Sequence, residues 1–338
     1  MSKKNSNAIL KKIENLEEIK NTYLSFKNSL KTFKTKSFLV AVSGGPDSLA
    51  LVALSRLYNY EKKTKFHYVL INHNIRKDSF EEAQKVKKLL LKHQINLIIL
   101  SNSKKIDSNI QSRARQIRYA LLLKYCQKKK INTILTAHNL EDQVETFFIR
   151  LSRGSGLTGL SAMKPLSKLN NKMRLFRPLL GTKKIILQKI AKFIFGKFFI
   201  DPTNKNKKYL RTKIRNLKKP LSKSGINYDQ VIKSINNLAS SNAILDKYFN
   251  SIIKKISKKS KNEILINYRE FKALDKEIKI KIIKVSIKKL KKNYYDPRSK
   301  KVENLINNIK SNKFTKATLG GCLFSLKKDK LCLKKEKT

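Results

Sequence analysis

Short runs of β-branched and aromatic residues alternate with amphipathic stretches through the first half of the chain. Phe38–Val42, Phe66–Asn72, Asn96–Leu100 and Asn132–Thr136 read as strands, and each is followed by a helical pattern. Strand and helix in alternation predict right-handed crossovers and an α/β fold, with a mostly parallel sheet covered by helices on both faces. In such a sheet the ligand crevice lies at the carboxyl ends of the strands.

Beyond about residue 220 the period changes. Val231, Ile235, Leu238, Leu245, Phe249, Ile252 and Ile256 fall on one helical face. A second helical stretch is expected from about Phe271 to Leu290, with Leu274, Ile278, Ile282 and Val285 turned inward. After Asp296-Pro297 the chain restarts, and Cys322–Leu326 and Leu331–Leu333 flank a charged Lys-Lys-Asp-Lys turn as a small hairpin. The pattern divides the chain into an α/β domain over residues 1–216, opened by an N-terminal helix within 1–35, a helical domain over 217–295 and a short C-terminal β-hairpin segment over 296–338.

Composition adds a partner. The formal net charge is +55, from 78 Lys and Arg against 23 Asp and Glu. Such a chain repels itself unless it works beside a polyanion, most simply nucleic acid. Lysine enrichment of an AT-rich genome accounts for part of the excess, but less well for the scarcity of carboxylates. Of the 13 arginines, 11 lie between Arg56 and Arg215, where the planar fork suits phosphate. Between residues 183 and 223 there are 14 Lys or Arg against the single carboxylate Asp201, making this basic junction the first candidate RNA face. Three cysteines without a CxxC pair suggest neither a disulfide framework nor a zinc knuckle, and fit a reducing cytosol. No apolar run reaches the roughly 18 residues of a membrane span, so a cytoplasmic protein without membrane partners is expected.

The strand Phe38–Val42 runs into Ser43-Gly44-Gly45-Pro46-Asp47-Ser48 and then a helix. Glycines turn the backbone tightly and present N–H groups, and the helix N-terminus adds its positive dipole end, so an anion is expected there. Pro46 suits a first helical turn. A plain Gly-Gly turn capped by Asp47 or Ser48 is the ordinary alternative. The Walker pattern is excluded, because no lysine follows at the position that reaches the terminal phosphates.

The hexapeptide resembles the PP-loop of the ATP pyrophosphatases, a Rossmann-like superfamily. Ile71-Asn-His-Asn-Ile-Arg76, Ala114-Arg-Gln-Ile-Arg118-Tyr119, Thr136-Ala-His138-Asn-Leu-Glu-Asp142-Gln-Val-Glu145-Thr146, Arg153-Gly-Ser-Gly-Leu-Thr-Gly-Leu160, Asp201-Pro-Thr-Asn204 and Arg211-Thr-Lys-Ile-Arg215 narrow the likeness to the tRNA(Ile)-lysidine synthases, over roughly residues 36 to 216. The resemblance implies that Ser43 to Ser48 bind ATP, that Asp47 helps to hold Mg²⁺, and that residues 217–295 bind tRNA. It implies that the C2 carbonyl oxygen of the wobble cytidine in a CAU-anticodon tRNA(Ile) attacks the α-phosphate. The amine of free L-lysine then displaces AMP. Asp142 and Glu145, on one helical face, suit an ammonium-bearing amino acid, and Arg118 suits the charge of adenyl transfer. Arg153, Lys205, Lys207, Lys208, Arg211 and Arg215 are the expected RNA contacts.

Plainer roles compete. Asn139 and Asp142 have capping-box spacing, and Glu145 can be a solvated helix residue. His73 and His138 each end an expected strand, where structural hydrogen bonding is the favoured role. The glycines at 154, 156 and 159, between Arg153 and the following helix, suit a loop closing over ATP or RNA, or simple turns and caps. Two other functions stay open: a tRNA-thiolating PP-loop enzyme, which needs reactive thiols that Cys126 alone does not supply, and a non-enzymatic basic RNA-binding protein.

Overall fold

The computed structural model describes residues 16–76, 78–103, 108, 110–170, 172–200, 210–260, 262–291, 297–311 and 314–336. They divide into two compact units, Met1–Leu238 and Ala239–Thr338, and the division falls within the long helix Tyr228–Ile256.

The first unit opens with α1 (Glu17–Lys31) and continues β1 (Ser37–Val42), α2 (Pro46–Lys62), β2 (Lys65–Asn72), α3 (Ser79–Lys92), β3 (Leu97–Ser101), α4 (Ile110–Lys128), β4 (Thr133–Leu135) and α5 (Leu140–Leu151). A short α6 (Leu157–Leu160), strands β5 (Leu166–Lys168) and β6 (Arg174–Phe176), and helices α7 (Lys184–Phe195), α8 (Leu210–Asn216) and α9 (Lys218–Lys223) follow, before α10 (Tyr228–Ile256). The sheet order is β3-β2-β1-β4-β6-β5, with every pairing parallel except the edge pair β5–β6. Each of the four expected strands is present within a residue or two. β5 and β6, three residues each, are too short to announce themselves by alternation.

β1 shows why the sheet must be covered twice. Phe38, Val40 and Val42 join one large core with α1, α2, α3 and α7, while Leu39, also fully buried, points to the other face. A strand buried on both sides reads as a continuous apolar run, as Phe38–Val42 does. Leu122 and Cys126 are the buried residues of α4, which packs against β2.

The second unit is an antiparallel sheet with helices. After α10 come β7 (Ser257–Lys259), β8 (Glu263–Asn267), α11 (Tyr268–Ala273), α12 (Lys276–Lys291), α13 (Ser299–Lys310), β9 (Lys316–Leu319), β10 (Cys322–Lys327) and β11 (Lys330–Lys335), with strand order β7-β8-β11-β10-β9. The expected hairpin is β10–β11, in register Leu326↔Leu331, with Lys328 at φ 49 in the turn. It sits inside a larger sheet that the sequence reading did not anticipate.

Two helical expectations change. The stretch expected as one helix from Phe271 is two, because Leu274 is extended at ψ 159 and α12 restarts at Lys276. Ile282 is buried as expected, whereas Ile278 and Val285 are only partly covered and Ile280, Ile283 and Ile287 lie deeper. On α10, Leu245 is 37 % exposed while Asn242 is buried. A polar set explains the exchange: Asn242 Nδ2 donates to Asp246 Oδ2 at 3.3 Å, and Asp246 Oδ1 pairs with Lys281 at 2.6 Å.

Phe324, fully buried in the core of the second unit, sets a test of that core. Phe324→Ala should remove ~3–5 kcal/mol of stability by loss of contacts and a residual cavity, read as a lower urea midpoint.

Candidate functional site

The turn between β1 and α2 is built around one position. Gly44 has φ +80, and a Cβ there would stand 2.5 Å from Val86 Cγ2 of α3, so both the dihedral and the space demand glycine. Its carbonyl accepts the Phe199 N–H at 3.0 Å. Gly45 caps α2 and Pro46 occupies the first turn. Ser48 closes the loop on itself: its Oγ accepts the Ser43 N–H at 3.1 Å, donates to the Gly45 carbonyl at 3.0 Å and lies 3.2 Å from Ser43 Oγ. The Ser48 hydroxyl is thus spent on shaping the turn. What faces outward is the first turn of α2, whose N–H groups have no intrahelical acceptor.

Asp47 stands in that turn. Burial pushes its carboxyl up to about 6; the Lys184 charge at the start of α7 and the Asn139 amide oppose this, while Asp142 and Glu141 add to it. Its Oδ1 is buried without a hydrogen-bond partner among the described residues. A buried carboxylate oxygen left open beside an anion site is a suitable ligand for Mg²⁺, which typically takes one or two carboxylates together with phosphate oxygens and water. Among the described residues no group of three or more His, Cys, Asp or Glu could enclose a metal ion.

α5 brings the second cluster to the neighbouring strand end. The expected capping box is present: Asp142 N donates to Asn139 Oδ1 at 2.9 Å, and Asn139 N donates to Asp142 Oδ2 at 3.1 Å. Glu145 is buried rather than solvated, 3 % exposed, and carries two arginines. Arg215 Nε lies 2.5 Å from Oε1 and its Nη2 3.3 Å from Oε2; Arg211 Nε donates to Oε2 at 2.8 Å, and Arg211 Nη2 reaches Asp142 Oδ1 at 3.5 Å. Glu141 accepts the Lys184 backbone N–H at 2.9 Å, tying α7 to α5.

Arg211 and Arg215, expected as RNA contacts, therefore lie against the expected lysine-binding pair. Asp47, Asp142 and Glu145 are brought together, since the charges of Asp142 and Asp47 both act on Arg215. Arg118 stands on α4, exposed, with its charge felt by His73. Arg153 is exposed beyond α5. Lys205, Lys207, Lys208 and the Asp201–Asn204 motif lie outside the described residues.

The histidines separate. His138 Nδ1 is 2.9 Å from Thr136 Oγ1, a structural bond. Burial takes its pKa down to about 4; Asp142 opposes this, and Arg177, Arg211 and Arg115 reinforce it. His73, also lowered to about 4 by burial and then by Arg118, has both ring nitrogens buried without a partner among the described residues. Arg150 pins the glycine segment, donating to the Gly159 and Ala162 carbonyls at 2.7 Å each. Arg115, inside the Ala114–Tyr119 motif, Lys184, inside the basic stretch, and Arg177 are site neighbours to which the sequence assigned no role of their own.

The PP-loop domain family model matches residues 16–221. A tRNA(Ile)-lysidine synthase of Wolbachia pipientis wMel is 33 % identical over 302 residues, covering 86 % of this chain and 68 % of that protein. The chain belongs to the tRNA(Ile)-lysidine synthase family. The family's Orientia tsutsugamushi (strain Boryong) member is 40 % identical over 183 residues, which cover 54 % of this chain and 41 % of that protein. The chain thus spans about two thirds of the Wolbachia relative and less than half of the Orientia one. Among solved structures, a U34-tRNA thiolase from Methanococcus maripaludis shares the fold, with TM-score 0.55 and 17 % identity over 66 % of this chain and 80 % of that one. Among the described residues no helix is long and apolar enough to cross a membrane.

The Asp47 environment makes a prediction. Asp47→Asn should raise the thermal midpoint of the nucleotide-free protein, because a buried, incompletely paired carboxylate is removed, while abolishing ATP-dependent pyrophosphate release. A fall in the midpoint would show that the carboxylate braces the turn instead.

Proposed function

We propose that this protein uses ATP to join L-lysine to C2 of the wobble cytidine of a CAU-anticodon tRNA(Ile), releasing pyrophosphate and AMP. Family membership supports an ATP-dependent tRNA-modifying enzyme. The observation that carries the finer reading is the convergence of Asp47 at the anion-binding turn with Asp142 and Glu145 on α5.

In the first step the β1–α2 turn holds the departing pyrophosphate at the N-terminus of α2. The cytidine O2 forms a bond to the α-phosphorus as the α–β bridging bond breaks, so pyrophosphate leaves with its electron pair. Asp47, through its open Oδ1, would hold Mg²⁺, which when bound offsets phosphate charge. Lys184 and Arg118 supply positive charge nearby, the first beside Asp47 and the second beside His73.

In the second step the lysine amine bonds to C2 and AMP leaves with the O2 oxygen. The attacking amine must be neutral, so a proton has to depart. The Asp142 carboxylate, with one oxygen engaged in the cap and the other facing the site, is the acceptor we assign. Glu145 shares the amino-acid subsite as part of the same acidic face. Arg153 and the lysines at 205, 207 and 208 are assigned to RNA phosphate. The basic excess supports a polyanionic substrate. Cytoplasmic action and a tRNA-binding role for residues 217–295 complete the proposal.

Incubation with ATP, a CAU-anticodon tRNA transcript and labelled lysine should place label in the RNA with AMP and pyrophosphate released together. Pyrophosphate without label would favour thiolation chemistry, and RNA retention without ATP cleavage a binding protein. Asp142→Asn should raise the KM for lysine more than that for ATP. The opposite order would move Asp142 to the nucleotide.

A further inference from the structure

Glu145 and Asp142 already hold a cation, and that cation belongs to the chain. Arg211 places Nε on Glu145 Oε2 at 2.8 Å and Nη2 near Asp142 Oδ1 at 3.5 Å, one oxygen from each carboxylate. Asp142 Oδ1 is the oxygen that the cap leaves over, whereas Glu145 Oε2 is shared with Arg215 Nη2 at 3.3 Å. Asp142 Oδ2 is held by the Asn139 N–H, and Glu145 Oε1 by Arg215. An ammonium group, with three donors, would bridge the same two oxygens.

The two arginines differ in how they are held. Arg215 spans both Glu145 oxygens, at 2.5 Å and 3.3 Å, and its side chain is 33 % exposed. Arg211 touches each carboxylate once, and its side chain is 43 % exposed. A half-exposed guanidinium recovers water when it leaves, so its exchange costs little. Glu145, nearly sealed from solvent, would not be orphaned by that exchange, because Arg215 stays.

We propose that Arg211 is a resident competitor for the amine subsite: an incoming amino-acid ammonium displaces its guanidinium, which is then released to bind RNA phosphate. The inference rests on the lysine-ligating reading above. It makes Arg211 the residue through which amino-acid and RNA binding are coupled. By linkage, lysine then raises RNA affinity by the same factor as RNA raises lysine affinity. The device also discriminates among amines, because a ligand has to contact both carboxylates to replace a guanidinium that does so.

Arg211→Gln and Arg211→Lys separate the possibilities, with lysine affinity measured by calorimetry and affinity for an unmodified CAU-anticodon transcript measured with and without saturating lysine. The wild-type chain should bind RNA about tenfold more tightly with lysine present, within the range usual for coupled sites. Arg211→Gln should bind lysine more tightly than wild type and lose the dependence of RNA affinity on lysine. Arg211→Lys should fall between, since it keeps the positive charge beside the carboxylates but not the planar fork that sets its direction. Weaker lysine binding in Arg211→Gln would overturn the exchange, showing that Arg211 holds the amino acid itself. Undiminished coupling in that variant would overturn it as well. Absence of lysine binding in every variant, wild type included, would instead reject the lysine-ligating reading and the exchange with it.

Discussion

A parallel strand that runs directly into a helix can leave an anion-sized space at the helix N-terminus only if the connecting turn is very tight. Here that constraint rests on Gly44, whose positive φ and whose missing Cβ, with Val86 2.5 Å from where it would stand, let α3 pack against the loop. Phe199 locks the same residue from the other side through its N–H. Ser48 then uses its hydroxyl on Ser43 and Gly45, so the loop is held in shape before any ligand arrives. Preorganisation of this kind leaves less ordering cost at the moment of binding.

Around that turn, a chain of formal charge +55 gathers Asp47, Glu141, Asp142 and Glu145 on adjacent strand ends. The Asp142 and Glu141 charges add to the cost of ionising Asp47, whose pKa burial has already raised. The fold answers with cations drawn from distant parts of the sequence: Lys184 from the start of α7, and Arg211 and Arg215 from α8. Glu145 is buried with guanidinium groups against it, Arg215 on both of its oxygens and Arg211 on one.

The first sheet was legible because β1 to β4 are apolar on both faces and separated by long helical patterns. The turn was legible because Ser43 to Ser48 join a strand to a helix. β5, β6, β7 and β9 were not, being only three or four residues long, and β8 becomes a strand through its long-range pairing with β11. Leu245 misled because periodicity weighs only apolar residues. It does not see that Asn242 and Asp246 are drawn inward by a lysine 35 positions from Asp246. The same limit governed the site. Counting lysines and arginines from 183 to 223 identifies a basic stretch, but not that Arg211 and Arg215 face a carboxylate 66 and 70 positions away. Their own spacing of four residues, on one helical face, was the available hint.

Asp142 shows why structural and functional readings of one residue need not exclude each other. A carboxylate has two oxygens, and the capping box uses only Oδ2. The cap fixes the side chain at the first turn of α5, so Oδ1 is aimed without further ordering toward the side where Arg211 approaches. A side chain immobilised for one purpose is already positioned for a second, which removes most of the entropic cost of holding a ligand there. The capping interaction is therefore the means by which Asp142 can serve a substrate, rather than the alternative to it.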